Sequence, residues 1–457
     1  MQTHLLGYPR IGSNRELKKA CEHYWADKIS LNQLLETGKT ISLQNWKLQQ
    51  EAGIDLIPCN DFSYYDQVLD MTLTVGAIPE RYQEIASNES HSEPDLYFAM
   101  ARGYQKNGLD ITAMEMTKWF DTNYHYIVPE FQKNQQFRLF SDKIISEFIR
   151  AKEAGMNAKP VIIGLLTYLL LGKEKENGFD KMDLAQNLLP VYLEILRKLE
   201  AYGAEYVQFD EPFLALDLNE KTKETYQWVY GEIRKQFPNL KFIVTTYFEG
   251  LKDNLSLAVS LPADVLHIDL VRCPEQLDEV LQAIPGTLSL SLGIVDGRNI
   301  WKNDFEKSLA LIKKAIHEIG PERVLIAPSC SLLHSPFDLD LEKNEAILSP
   351  EIKQWMAFAK QKVDEIAVLK KTGVRKSRLS HAAAIGRKQK GTGKPCRSHY
   401  GWRCKKKKSF CGKERSSAKS TAVAIISYHN HWFLPANHGS KKLEGSIQKG
   451  RTYSRSL

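Results

Sequence analysis

The chain has 457 residues, 43% of them hydrophobic, enough for a large α/β barrel with extensions or for two domains. Its net charge of +7 hides two regions: from Lys371 onward 22 Lys and Arg face 2 acids, whereas the preceding 370 residues carry 40 against 53. The seven cysteines are odd in number and scattered, unlike a secreted disulfide framework. MQTHLLGYPR has no charged segment followed by an apolar one, so no signal peptide is expected. The longest apolar run, around Pro160–Leu171, falls short of the roughly 20 residues that cross a bilayer. A cytoplasmic protein with no membrane partner is the expectation.

The first informative stretch is Leu5 to Trp25, LLGYPRIGSNRELKKACEHYW. It reads as a short strand, a tight loop and a helix, with Ser13 or Asn14 able to cap the helix through a side-chain oxygen. Leu17, Ala20, Cys21, Tyr24 and Trp25 recur at helical steps and predict a buried face. Arg15, Lys18 and Lys19 share another face in the first turns, where the helix dipole disfavours cations. Cations there point to an anionic ligand, the alternative being a solvated basic face.

Further along, apolar strand-like runs cover Gly53–Pro58, Thr122–Pro129, Lys159–Tyr168, Ala204–Pro212, Leu240–Phe248, Ala263–Val271, Thr287–Gly297 and Arg323–Cys330. With the first strand that makes nine candidates, separated mostly by amphipathic patterns such as Met182–Tyr202 and Phe305–Ile319. Continuous apolar strands alternating with helices predict a parallel sheet covered on both faces. Eight units would close a (β/α)8 TIM-type barrel, leaving one candidate outside it; a long insertion follows the second strand. The competing architecture is an open doubly wound sheet, although no glycine-rich phosphate loop follows any strand.

Polar residues gather where the strands end: Asn60, Asp61, Asp210, Glu211, Tyr247, Glu249, Asp269 and Asp296. Barrel active sites lie at that end, and acids there also cap helices or hold arginines. Asp210 and Glu211 invite a glycosidase reading, but neighbours on a strand point to opposite faces and cannot act as one carboxylate pair.

GYPRIGSNRELKKACEHYW and GIDLIPCNDFSYYDQVLD (Gly53–Asp70) together resemble the start of cobalamin-independent methionine synthase. The likeness continues through MTKWFDTNYHYIVPEF (Met116–Phe131), QFDEP (Gln208–Pro212), TTYFEG (Thr245–Gly250), GRNIW (Gly297–Trp301) and SCSLLHSP (Ser329–Pro336). It implies a methyltransferase that moves a methyl group from 5-methyltetrahydropteroyltriglutamate to homocysteine without cobalamin. It implies two barrels, with zinc and homocysteine held by the second, and a first barrel that helps bind the folate's polyglutamate tail. Carried over where the motif matches, the tail-binding positions are Arg15, Glu16, Leu17 and Lys18 of RELK and Lys118 of MTKW. Several carboxylates on the tail suit charge-assisted donors at Arg15, Lys18 and Lys118; Glu16 suits a backbone contact or the orienting of Arg15. Trp119 and Tyr124 fit pterin stacking or core packing. No catalytic residue and no metal ligand is assigned to this chain, and a monomer is expected.

The resemblance stops near Thr372, which divides the chain into a barrel over 1–371 and a basic tail over 372–457. Cys396, Cys404 and Cys411 show no metal-ligand spacing. Lys405–Lys408 suit electrostatic nucleic-acid binding, but low apolar periodicity favours disorder, and no nucleic-acid partner is expected. The genetic code offers another origin. In HNHWFLPANHG (His429–Gly439), the single codon of Trp432, TGG, read one nucleotide later with the T of Phe433, gives GGT, glycine. Neighbouring codons then permit T-T-I-G-S-F-P-Q-T-T, which resembles the opening of the family's second barrel. The tail therefore reads as an out-of-frame product. The expected function is that of the methyltransferase's first barrel, inactive alone; a folate-binding module or an inert truncated product is the alternative.

Overall fold

The computed structural model describes residues 1–386 except Glu89 and Asn107, with side chains up to Gly373. Eight parallel strands run β1 (Gln2–Thr3), β2 (Ile57–Cys59), β3 (Ala158–Ile163), β4 (Tyr206–Asp210), β5 (Lys241–Thr245), β6 (Val265–Asp269), β7 (Ser289–Val295) and β8 (Val324–Pro328). Each pairs with its neighbour in sequence, and β1 pairs with β8. A parallel bridge between His4 and Leu56 joins β1 to β2 and closes the barrel. The open doubly wound alternative is thereby excluded.

Each strand leads to a helix that packs on the outside, among them Leu31–Ala52, Lys143–Glu153, Ala185–Ala201, Glu220–Gln236 and Phe305–Ile319. Leu31–Ala52 is started by a capping box: Ser30 Oγ accepts from Gln33 N, and Gln33 Oε1 accepts from Ser30 N at 2.8 Å. Gly53, at φ 92°, ends it in the left-handed region.

The ninth candidate lies in the insertion between β2 and β3. His125–Ile127 is a strand, but it pairs antiparallel with Met116–Lys118 in a hairpin outside the barrel. The last described helix begins at Ala359 and continues through Thr372 to Gly386, so the expected boundary at 371/372 falls within a helix. Residues 387–457, with Cys396, Cys404, Cys411 and Lys405–Lys408, lie outside the described residues.

The barrel interior is layered along the strands. Leu56, Ile243, Val265 and Leu325 fill its lower end as a small apolar cluster. One step up, Ser291 Oγ lies 2.7 Å from His4 Nε2 and 2.8 Å from His267 Nδ1. In the same interior the buried Lys159 ammonium donates to Gln208 Oε1. The alternation of side chains along a strand makes this layering from lone polar residues in apolar runs.

Candidate functional site

At the carboxyl-terminal mouth of the barrel, the loop after β1, the tip of the 116–127 hairpin and the segment after β8 enclose a cleft of about 470 Å³. Its cations are Arg10, Arg15 and Arg298; Leu333, Pro336, Phe337 and Phe358 supply apolar wall. Arg10 is buried, donates to the Tyr65 carbonyl and lies 5.2 Å from the centre of the Tyr124 ring. His334 stands edge-on to Tyr124 and Phe248. Burial, aided by the charge of Arg298, lowers the His334 pKa to about 3, so it is neutral at physiological pH. Two acids of the cleft are already engaged: Asp121 by Arg272 and Arg298, and Asp338 by Lys360 at 2.9 Å and Gln361 at 2.7 Å.

The five residues carried over from the resemblance occupy different places. Arg15 lines the cleft, half-exposed, in the left-handed region at φ 61°, and its side chain has no hydrogen-bond or ion-pair partner among the described residues. Glu16 organises the loop: its carboxylate accepts from Asn14 N at 2.9 Å and from Ser13 Oγ at 3.2 Å. The expected Ser13 or Asn14 cap is not made; the helix is Glu16–Trp25, with Arg15 at its N-cap and no side-chain cap bond. Gly12, at φ 80°, lies under the same carboxylate, where an added Cβ would collide with it. Leu17 is fully buried in the apolar cluster between the Glu16–Trp25 and Leu31–Ala52 helices and the insertion, which leaves only its backbone for a ligand. Lys18 faces Glu22 one turn on, at 3.7 Å. Lys118 is exposed on the hairpin just before the tip and does not line the cleft itself. Trp119 is buried in the core, whereas Tyr124 lines the cleft.

Arg10, Arg298 and His334 were not singled out from the sequence, although they lie within GYPR, GRNIW and SCSLLHSP. The signal was a charged or titratable residue inside each motif at a strand's carboxyl end.

Asp210 and Glu211 diverge as their adjacency requires. Asp210 turns into the barrel, accepting from Gln208 Nε2 at 2.7 Å and from the Tyr247 hydroxyl at 3.2 Å. Glu211 turns outward to Thr167, Tyr226 and Tyr230. Burial raises the Asp210 pKa to about 6 and lowers that of Lys159 to about 8. Cys21, Cys59, Cys273 and Cys330 are free, buried thiols on separate elements, and burial raises the pKa of each. Among the described residues no three His, Cys, Asp or Glu side chains converge as metal ligands, so these residues do not fit zinc.

The fold and this cleft define a (β/α)8 barrel with a basic, half-apolar mouth. Residues 2–320 match the family model described as cobalamin-independent synthase, N-terminal domain. A 5-methyltetrahydropteroyltriglutamate–homocysteine methyltransferase of Flavobacterium johnsoniae is 63% identical over 372 residues, covering 81% of this chain and 48% of that protein. The Saccharomyces cerevisiae protein of the same name is 48% identical over 379 residues, with the same coverages. The chain belongs to the cobalamin-independent methionine synthase family, through its N-terminal domain. It spans about half the length of the curated relatives it matches.

The fold is also that of a putative vitamin-B12-independent methionine synthase from Listeria monocytogenes, with TM-score 0.54 and 15% identity, covering 81% of this chain and 98% of that one. A B12-independent methionine synthase from Shewanella sp. W3-18-1 matches with TM-score 0.51 and 17% identity over 77% of this chain and 92% of that one. No described helix is long and apolar enough to cross a membrane.

Proposed function

We propose that this barrel holds the glutamate tail of 5-methyltetrahydropteroyltriglutamate for a cytoplasmic methyltransferase that makes methionine from homocysteine. One observation carries the reading: Arg15 lines the cleft with its guanidinium unpaired among the described residues, beside Arg10 and Arg298. An unpaired guanidinium at a partly dry mouth suits bidentate carboxylate binding. The apolar wall around Phe337 and Phe358 suits a flat ring attached to that tail. Lys18 and Lys118 would serve successive carboxylates at the rim; Glu16 sets the Arg15 loop and Leu17 anchors it. Zinc and homocysteine belong, in this reading, to a second barrel, and the residues from 372 onward are an out-of-frame segment of the gene. Resequencing the codons around Lys370–Arg378 tests the frame directly.

The binding test compares mono- and triglutamate forms of 5-methyltetrahydrofolate by calorimetry on the 457-residue chain. Arg15→Ala should cost about 1.5–3 kcal/mol of triglutamate affinity, the range for a hydrogen bond to a charged group. Lys118→Ala, being exposed, should cost less, about 0.2–1 kcal/mol. The monoglutamate should respond less to both. Equal affinities for the two ligands in wild type and variants would remove the site.

A further inference from the structure

The hairpin that carries Lys118 ends in a tip that lies across the barrel mouth. Asp121 lines the 470 Å³ cleft and also a second one of about 650 Å³ between the loops after β4 and β5. The tip thus partitions the mouth. It is internally stiff: Trp119 N donates to Tyr124 O at 2.8 Å, Thr122 N donates to Trp119 O at 3.1 Å, and Thr122 Oγ1 donates to the same carbonyl at 2.6 Å. Phe120 takes the left-handed conformation at φ 51° and packs against Phe213 and Phe248 of the barrel loops. A non-glycine residue in that region is held there by its surroundings.

The polar attachment is concentrated in Asp121. Its Oδ1 accepts from Arg298 Nη1 at 2.8 Å, its Oδ2 from Arg272 Nη2 at 2.9 Å, and its carbonyl from Arg298 Nη2 at 3.0 Å. Arg298 is itself fixed, lying 5.0 Å from the centre of the Phe248 ring and only 20% exposed. These arginines come from the loops after β6 and β7, so one carboxylate ties the insertion to two barrel loops.

We propose that Asp121 is a positioning residue: its clamp on Arg272 and Arg298 fixes the hairpin across the barrel mouth and so sets where Lys118 meets an anionic ligand. Asp121 need not touch the ligand. The role of Lys118 rests on the polyglutamate reading above; the clamp itself does not.

The two can be separated on the full 457-residue chain. Asp121→Asn keeps the shape and removes the charge. Amide hydrogen exchange over 116–127 should quicken about three- to tenfold, the scale for losing a small network of partly exposed ion pairs. Asp121→Glu, which keeps the charge, should restore most of the protection, and exchange in the barrel strands should not change. The triglutamate-to-monoglutamate affinity ratio should fall at least about threefold in Asp121→Asn, and Asp121→Asn with Lys118→Ala should be no worse than Lys118→Ala alone, because residues acting through one interaction are not additive. Wild-type exchange in Asp121→Asn would overturn the clamp whatever the binding shows. Faster exchange with an unchanged ratio, while Lys118→Ala lowers it, would overturn the positioning role. If Lys118→Ala itself has no effect, the polyglutamate reading of Lys118 fails, and the exchange result alone decides the clamp. Tighter triglutamate binding in Asp121→Asn would show that Asp121 competes for the arginines and would overturn the proposal.

Discussion

Glu211→Ala is expected to be among the most destabilising single changes in the barrel, by about 3–5 kcal/mol, since it leaves several buried neutral donors without their acceptor at about 1–3 kcal/mol each and opens a cavity. Four donors converge on this carboxylate: Thr167 N at 3.0 Å, Thr167 Oγ1 at 2.6 Å, the Tyr226 hydroxyl at 2.9 Å and the Tyr230 hydroxyl at 3.0 Å. Glu211 and both tyrosines are buried, so water cannot easily replace the lost acceptor. Tyr226 and Tyr230, one turn apart on Glu220–Gln236, stack and aim together at Glu211. Gly164, the residue after β3, lies so close that an added Cβ would overlap the carboxyl group. Gly164→Ala should also destabilise, by a clash that pushes the carboxylate off its donors. Urea unfolding of the variants measures both effects, and a loss under about 1 kcal/mol for Glu211→Ala would show the donors re-pairing elsewhere.

Glu211 also predicts a pH dependence. Burial raises its pKa from 4.5 to about 7, against the opposing pull of the Thr167, Tyr226 and Tyr230 hydrogen bonds. Between those values the folded chain binds more proton than the unfolded one, so this group's contribution to stability falls as pH rises from about 4.5 to about 7. Glu211→Gln removes that titration. The stability difference between wild type and Glu211→Gln should shift toward the variant as pH rises through this window, by at most roughly 3 kcal/mol. A difference that stays flat from pH 5 to pH 8 would contradict the raised pKa.

The barrel was legible because its signal is coarse and repeated. Phe305–Ile319 is a helix over the predicted range, and seven of the nine strand candidates overlap barrel strands; the first barrel strand is Gln2–Thr3, ahead of the Leu5–Leu6 stretch expected to form it. Thr122–Pro129 misled because apolar periodicity marks a strand without saying which sheet it joins; here the partner is the neighbouring Met116–Lys118. The start of the Glu16–Trp25 helix was misplaced for a local reason. Ser13 and Asn14 are ordinary caps, but Glu16 already engages both residues, and Arg15 takes a left-handed conformation that sequence preference assigns to glycine or asparagine. The acids at the strand ends were visible, and the opposite facing of Asp210 and Glu211 followed from strand geometry alone. The polar interior built on His4, Lys159, Gln208, His267 and Ser291 went unread, since single polar residues in apolar runs gain meaning only when several strands close round one axis. The Asp121 clamp on Arg272 and Arg298 was invisible for the same reason: its partners lie 151 and 177 residues away along the chain.

The largest functional effect concerns methyl transfer itself. Given homocysteine and 5-methyltetrahydropteroyltriglutamate, the 457-residue chain alone is expected to form no methionine above background. The acceptor must be a thiolate, and an ordinary thiol with a pKa near 8.5 is only a few per cent ionised at neutral pH. Arg10, Arg15 and Arg298 offer charge to carboxylates but cannot coordinate sulfur, and His334 is neutral behind Tyr124 and Phe248. Cys21, Cys59, Cys273 and Cys330 are buried apart with raised pKa values, which suits packing rather than metal binding. In the reading proposed above, the described residues hold the anionic folate tail and the acceptor thiolate is made in a second barrel; among the described residues no three His, Cys, Asp or Glu side chains come together as metal ligands. Translating G-S-F-P-Q-T in frame and continuing through a second barrel should restore one zinc per chain by elemental analysis. It should also raise methionine formation at least about a thousandfold, the scale of several kcal/mol of metal-ion catalysis. Triglutamate binding by the 457-residue chain should survive where methionine formation does not. Methionine produced by that chain alone, with one bound zinc, would place the activating site within these 457 residues and overturn the division of labour between two barrels.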